Sequence, residues 1–321
     1  MNRKQVLVFK ALPADQLARL RHECDVVVGD PRVPQQKAAF QQALSTVDGM
    51  IGASHRFDDA LLDAAPNLKV ISSVSVGVDN YPLASLKSRG IMLCHTPGVL
   101  TETVADLYFS MILATSRRIV ELANLVREGR WTGSIQPDMF GWDVHGKTLG
   151  ILGYGRIGQA IARRAARGFD MQVLYHTRTQ PSAGDADNRI MPASFKEVLS
   201  ESDFVVVVLP LTGQTLGLIG SAEFAMMKPG AIFINGARGA IVQETALLDA
   251  LNRGTLRAAG LDVFMTEPLP ADSPLRTHPK VVPLPHAGSA THETRHAMAE
   301  MATTNLLLAL KGRPPLAVFD A

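Results

Sequence analysis

The chain has 321 residues, 46% of them hydrophobic and 19% charged, and a formal net charge of +2. That length exceeds what one growing core fills, so two domains are expected, and the composition is too apolar for long disorder. A near-neutral charge without Lys or Arg runs argues against nucleic acid and against an anionic membrane surface as partners. The two cysteines, Cys24 and Cys94, lie far apart and outside any metal or redox spacing, which fits a reducing, cytoplasmic compartment. No stretch approaches the roughly 20 apolar residues that cross a bilayer, and the apolar run 6–9 is too short for a secretion signal.

In the first hundred residues, short apolar runs at 6–9, 26–28, 49–53, 70–76 and 91–93 alternate with amphipathic segments. The alternation predicts a parallel sheet with helices on both faces. Next, Val104, Leu107, Tyr108, Met111, Ile112, Ile119, Leu122 and Val126 follow helical spacing, with Thr101 placed to cap the start and Gly129 near the end. One long helix over about 101–129 is expected, about 40 Å in length, which would bridge domains and pack against a partner subunit. A polar loop at 132–147 follows. A second alternating series places strands at 148–152, 172–175, 204–209, 231–235, 258–263 and 281–284, and a last amphipathic helix runs from about Thr291 to Leu310.

Gly153-Tyr154-Gly155-Arg156-Ile157-Gly158 matches G-x-G-x-x-G. Three spaced glycines are a weak signal alone, but these follow an apolar strand, open a helix reaching about Phe169, and precede another strand. That order is the dinucleotide-binding βαβ unit. The first glycine permits the tight turn, the second lets backbone approach a pyrophosphate, and the third lets helix pack on strand. N–H groups at the helix start, from Arg156 and Ile157, attract the anion. In NAD-selective sites an acidic residue ends the second strand and holds the ribose hydroxyls. Here that residue is His176, followed by Thr177, Arg178 and Thr179. A carboxylate that would repel a 2′-phosphate is missing and a guanidinium that pairs with one is present, so NADPH is favoured over NADH.

Ligands of open parallel sheets sit beyond the carboxyl ends of the strands. Four polar residues stand there: Arg238 after the strand ending at Asn235, Asp262 and Glu267 around the end of 258–263, and His286 beyond 281–284. A guanidinium can hold a carboxylate bidentately, and an imidazole can exchange protons near neutral pH when a neighbouring carboxylate orients it. Together, Gly153 to Gly158, Asn235-Gly236-Ala237-Arg238-Gly239, Ala259-Gly260-Leu261-Asp262-Val263-Phe264 with Glu267-Pro268, and Pro285-His286-Ala287-Gly288-Ser289-Ala290-Thr291 resemble the D-isomer-specific 2-hydroxyacid dehydrogenase family.

The resemblance covers nearly the whole chain and implies α/β architecture: two doubly wound parallel-sheet domains with a cleft between them. A flavodoxin-like substrate domain would comprise 1–98 with 288–321, and a Rossmann dinucleotide-binding domain 99–287. It implies Arg238, Glu267 and His286 as the catalytic set. Backbone N–H groups of Val76 and Gly77, in the loop 75–79, would grip the substrate carboxylate. Asp262 would contact the nicotinamide carboxamide, Gly288 and Ser289 would lie beside nicotinamide and substrate, and Thr103, Pro210 and Gly236 would be cofactor neighbours.

Leu100-Thr101-Glu102-Thr103-Val104-Ala105-Asp106, the loop 134–142 and Thr291-His292-Glu293-Thr294-Arg295 look most like the glyoxylate/hydroxypyruvate and 2-ketogluconate reductases of that family. The expected function is NADPH-dependent reduction of a small 2-keto acid by a cytoplasmic homodimer, with NADH a poorer cofactor. An NAD-dependent D-lactate or phosphoglycerate type of dehydrogenase and a dinucleotide-sensing corepressor are the alternatives. The His292-Glu293-Thr294-Arg295-His296 stretch matches a zinc protease pattern, but no further ligand is evident and no metal is expected. His95, before Thr96-Pro97-Gly98, reads as structural rather than as a second base.

Overall fold

A computed structural model describes residues 3–178 and 187–320. Its backbone contacts separate two units, Met1–Leu100 with Ala290–Ala321, and Thr101–Ser289. Among the described residues, the first unit holds a sheet of β1 (Gln5–Val8), β2 (Asp25–Val28), β3 (Gly49–Gly52), β4 (Val70–Ser73) and β5 (Met92–Cys94). Every pairing is parallel and the order is β2-β1-β3-β4-β5. The helices α1 (Ala14–Glu23), α2 (Lys37–Leu44), α3 (Asp59–Asp63) and α4 (Leu83–Ser88) connect the strands, and the helix His292–Leu310 joins them from the far end of the chain.

β3 and β4 are buried along their whole length, so helices cover both faces and the strands read as continuous apolar runs. Leu7, Phe9, Met50 and Ile71 are fully buried at the centre of this core. Asp58 starts α3 by accepting the Leu61 N–H (2.9 Å), and Thr291 starts the last helix by accepting that of Thr294 (3.2 Å). The strand expected over 70–76 stops at Ser73. Val74 still donates to the Gly52 carbonyl (2.8 Å), and the chain then leaves the sheet as a loop.

The second unit begins with α5 (Thr101–Ser116) and α6 (Ile119–Arg127), followed by β6 (Thr148–Leu152), α7 (Arg156–Phe169), β7 (Gln172–His176), β8 (Ile190–Pro192) and α8 (Phe195–Glu201). Then come β9 (Phe204–Val207), α9 (Ser221–Met226), β10 (Ala231–Asn235), α10 (Glu244–Asn252), β11 (Leu256–Leu261) and β12 (Val281–Pro283). The sheet order is β12-β11-β10-β9-β6-β7-β8, all parallel. The chain winds outward from β6 through β7 and β8, then returns to the other side of β6 with β9. Loops after β6 and β9 therefore diverge, and ligands of such sheets enter at that switch point. The protein is thus built from two parallel-sheet α/β domains.

The single long helix expected over 101–129 is two helices. Arg118 adopts φ 54, a left-handed conformation that ends α5 and starts α6 in a new direction. The break is held from outside. Trp142 donates its N–H to the Ser116 carbonyl (3.0 Å), and Ser116 Oγ donates back to the Trp142 carbonyl (2.8 Å). Gly141 makes this possible, because a Cβ there would come within 2.7 Å of that same Ser116 oxygen. Gly129, at φ 68, ends α6 with Gly129 N–H to Val126 (3.1 Å) and Arg130 N–H to Leu125 (3.0 Å), a Schellman closure. The edge strand β8 has no counterpart in the sequence reading: three residues with Pro192 at the end carry no periodicity. Among the described residues no helix is long and apolar enough to cross a membrane.

Candidate active site

Between β6 and α7 the chain turns in three residues. Gly153 takes φ 104, donates its N–H to the His176 carbonyl (2.9 Å), and sits where a Cβ would lie 2.7 Å from the Val208 oxygen. A Cβ on Gly158 would collide with the Gly153 carbonyl, so the third glycine lets α7 close on the turn. Gly155 differs from both: nothing lies within 4 Å of its missing side chain. It is the N-cap of α7 and supplies no side-chain cap, which leaves the first-turn N–H groups, Arg156 and Ile157 among them, without a capping side chain at the positive end of the helix. That cradle fits an anionic pyrophosphate.

At the end of β7, His176 Nδ1 meets the Ala193 carbonyl (3.3 Å) and its ring lies edge-on to Phe195, with centroids 5.8 Å apart. The half-buried Thr177 follows. Arg178 is exposed, and its guanidinium donates to the side-chain oxygen of Gln214, an uncharged group. Thr179 lies outside the described residues. Pro210 is exposed just past β9, and Thr103 is half-buried in the first turn of α5.

The three residues expected to carry the reaction come together past β10, β11 and β12. Asn235, the last residue of β10, folds the next turn onto itself: its side chain accepts the Ala237 N–H and donates to the Arg238 carbonyl, both at 3.1 Å. Tyr108 supports this turn from below. Its buried hydroxyl donates to the Val207 carbonyl (2.5 Å) and accepts the Gly236 N–H (3.1 Å), and burial pushes the phenol far above its ordinary range, so it stays protonated. Gly239 then lets the turn press on the next one, because a Cβ there would occupy the space of the Phe264 carbonyl group. In that second turn the Phe264 N–H donates to Glu267 Oε1 (3.0 Å), and the Glu267-Pro268 bond is cis.

Glu267 Oε2 in turn meets His286 Nδ1 at 2.8 Å. With Nδ1 committed to the carboxylate, Nε2 is the nitrogen left to exchange a proton, and it makes no hydrogen bond among the described residues. Burial works to raise the Glu267 carboxyl, but the His286 hydrogen bond, the Phe264 N–H and the charges of His286 and Arg238 outweigh it and hold the group below its ordinary range. Glu267 is therefore an anion at neutral pH. The pair's contribution to stability is complete above the ordinary carboxylate range and disappears as pH falls through the lowered one.

His286 occupies φ 53, a left-handed conformation that a non-glycine residue enters at a cost of about 1 kcal/mol. Asp262 holds it there. Its two carboxylate oxygens accept the N–H groups of Ala287 (2.7 Å) and Gly288 (2.8 Å). Burial raises the Asp262 carboxyl, with the Glu267 charge adding to the rise, against the Ala287 N–H, the charge of His286 and the Gly288 N–H. Gly288 is buried between Asp262 and Val104, and Ser289 follows half-buried. Neither Tyr108 nor Asn235 carries a site signal of its own in the sequence. Tyr108 reads there as one more apolar position on α5, and Asn235 as the polar end of a strand.

These contacts lead to a measurable expectation. In Glu267→Gln the group that fixes the His286 ring loses its charge, so kcat is expected to fall about tenfold or more while dinucleotide binding holds. A kcat equal to that of the parent protein would contradict the pairing.

In the first unit, the loop after β4 carries Val76 and Gly77. The Val76 carbonyl meets His95 Nδ1 (3.2 Å), and Thr96 N–H donates to the Ser75 carbonyl (3.0 Å). His95 thereby holds this loop, with its ring edge-on to Phe319. The N–H groups of Val76 and Gly77 themselves make no hydrogen bond among the described residues. Of the zinc-protease look-alike, His296 pairs with Asp15 (Nε2 to Oδ2, 2.8 Å).

Residues 109–288 match the D-isomer specific 2-hydroxyacid dehydrogenase NAD binding domain. The chain is 49% identical over 307 residues to glyoxylate/hydroxypyruvate reductase B of Escherichia fergusonii, covering 96% of this chain and 95% of that one. The enzyme of the same name from Cronobacter sakazakii is 50% identical over 307 residues with the same coverage. Among solved structures, a Thermus thermophilus protein superposes with TM-score 0.89 at 43% identity, covering 98% and 100% of the two chains. The NADPH-dependent glyoxylate/hydroxypyruvate reductase from Sinorhizobium meliloti, in complex with NADP and malonate, gives TM-score 0.86 at 30% identity over 99% and 97%. The chain belongs to the D-isomer specific 2-hydroxyacid dehydrogenase family and is an oxidoreductase that uses a nicotinamide dinucleotide.

Proposed function

We propose that the protein reduces small 2-keto acids, with glyoxylate and hydroxypyruvate foremost and 2-ketogluconate within its range, to D-2-hydroxy acids at the expense of NADPH. The observation that carries this reading is the His286–Glu267 pair at 2.8 Å, with Arg238 brought against the same turn by Gly239. Arg238 holds the substrate carboxylate. His286 gives its Nε2 proton to the carbonyl oxygen, and Glu267 balances the imidazolium until that proton leaves. When bound, the reduced nicotinamide supplies the hydride to the keto carbon. Residues of the Gly153–Gly158 turn hold the dinucleotide's pyrophosphate, and Asp262 keeps the loop beneath its nicotinamide in shape.

NADPH is preferred because Arg178 has no carboxylate on it among the described residues and β7 ends in His176, which the Ala193 carbonyl anchors. Steady-state kinetics with both cofactors against glyoxylate, hydroxypyruvate, pyruvate and 2-ketogluconate test the proposal. A strong NADH preference would overturn the cofactor assignment, and inactivity across the panel the catalytic one. Arg178→Asp removes a charge-assisted contact worth about 1.5–3 kcal/mol and is expected to lower kcat/KM for NADPH about 10–100-fold, with NADH spared. Parallel loss with both cofactors would remove Arg178 from the phosphate site.

The protein acts as a homodimer in the same proposal. α6 buries none of its residues although it carries Ile119 and Val126, which are 51% and 55% exposed, and Trp131 just beyond it is 62% exposed. Val126 and Trp131 line one groove with Leu122, Leu125 and Ile135, and exposed apolar surface of this kind marks an interface. Val126→Asp is expected to give a monomer in light scattering, and a parent protein that is itself monomeric would end the argument. The buried, unpaired thiols of Cys24 and Cys94 suit the cytoplasm.

A further inference from the structure

The first unit carries a concentration of positive charge that the chemistry above leaves idle. Its sheet reverses direction at β1, which lies between β2 and β3, and a reversal of this kind opens a crevice beyond the carboxyl ends of the strands. The residues leaving those ends are basic: Lys10 two positions after β1, Arg32 in the loop after β2, and His55 three positions after β3. The helix His292–Leu310 adds Arg295. A Cβ on Gly49, at the start of β3, would meet Leu306 and Leu310, whereas Ser72, near the end of β4, donates to the Ala302 carbonyl (2.7 Å). The helix therefore runs antiparallel to the strands, and its first turn lies at their carboxyl ends.

Lys10 is close enough to Arg295, Arg32 and Asp30 to feel all three charges. Asp30 is already taken, bidentately, by Arg32 at 2.9 and 2.7 Å. Lys10 and Arg295 are both half-buried, and neither makes a side-chain hydrogen bond or ion pair among the described residues. Burial, with the charges of Arg295 and Arg32, holds the Lys10 ammonium below the ordinary lysine range, Asp30 opposing. Two partly desolvated cations with no anion between them are a costly arrangement unless an anion is supplied.

We propose that Lys10 and Arg295 form a binding site for a small oxyanion, a phosphate or carboxylate group, at the carboxyl edge of the first unit's sheet. The planar fork of arginine takes two oxygens of such a group, and the lysine adds a point charge. The ligand is a free anion such as inorganic phosphate.

Titration calorimetry of the intact protein with inorganic phosphate is expected to show binding that weakens at least about tenfold in Lys10→Met and in Arg295→Gln. Lys10→Glu places a carboxylate opposite Arg295, so the fold is kept, as circular dichroism would report, while phosphate is excluded. A second arm repeats the titration with acetate, which tells a phosphate-selective site from one for any carboxylate. Phosphate and acetate bound equally by parent and variants, or neither bound by the parent, overturn the site.

Discussion

Replacing His286 by asparagine is expected to lower kcat/KM for every keto acid by about a thousandfold, the middle of the range for loss of a positioned general acid. Three observations make this the largest single effect. Nδ1 is fixed by Glu267 at 2.8 Å, Nε2 is left to donate, and Asp262 holds the turn that follows the residue at φ 53. Asparagine is the informative substitution because it tolerates the left-handed region that alanine resists. Stability should then stay near that of the parent, and the loss can be read as chemistry. Dinucleotide binding, followed by fluorescence, should hold, since the Gly153–Gly158 turn lies on β6 and α7 and owes nothing to this side chain. A rate within tenfold of the parent's would mean that water or another group donates the proton.

Much of this arrangement was legible in the residues because its signals are local. A glycine needed for a turn, a polar residue just after a buried strand and an acid near a histidine are each readable from a few neighbours, and the spacing of the four motifs supplied the rest. Thr148–Leu152 and Ala231–Asn235 fall where the apolar runs place them for the same reason. What escaped depends on contacts distant in sequence. Helical periodicity continues from Thr101 through Val126, and nothing in it registers that Gly141 and Trp142 return to cap Ser116 and break the helix at Arg118. Tyr108 looks like core until Gly236 is seen on its hydroxyl, 128 positions later. Asp262 reads in the sequence as a polar residue past a strand end; that its oxygens accept the N–H groups of Ala287 and Gly288 is a geometry that no spacing rule encodes.

Arg238→Gln is expected to lower kcat/KM by about a hundredfold or more, since a bidentate guanidinium–carboxylate pair comprises two charge-assisted hydrogen bonds worth about 1.5–3 kcal/mol each. How the loss divides between KM and kcat tells what the residue does. An arginine that only captures the substrate carboxylate binds ground state and transition state alike, so its removal raises KM and spares kcat. Arg238 is placed for more than capture. Asn235 clamps its carbonyl, its own Nη1 donates to the Ala237 carbonyl at 2.7 Å, and Gly239 presses its turn on the one bearing Glu267. A carboxylate held in that frame has its keto carbon oriented toward one face and its oxygen toward His286, so both parameters should suffer. Arg238→Lys separates charge from geometry. Lysine keeps the point charge and loses the fork, and is expected to recover part of KM and little of kcat. Full recovery of both by lysine would show that charge alone suffices and would remove orientation from the role of Arg238.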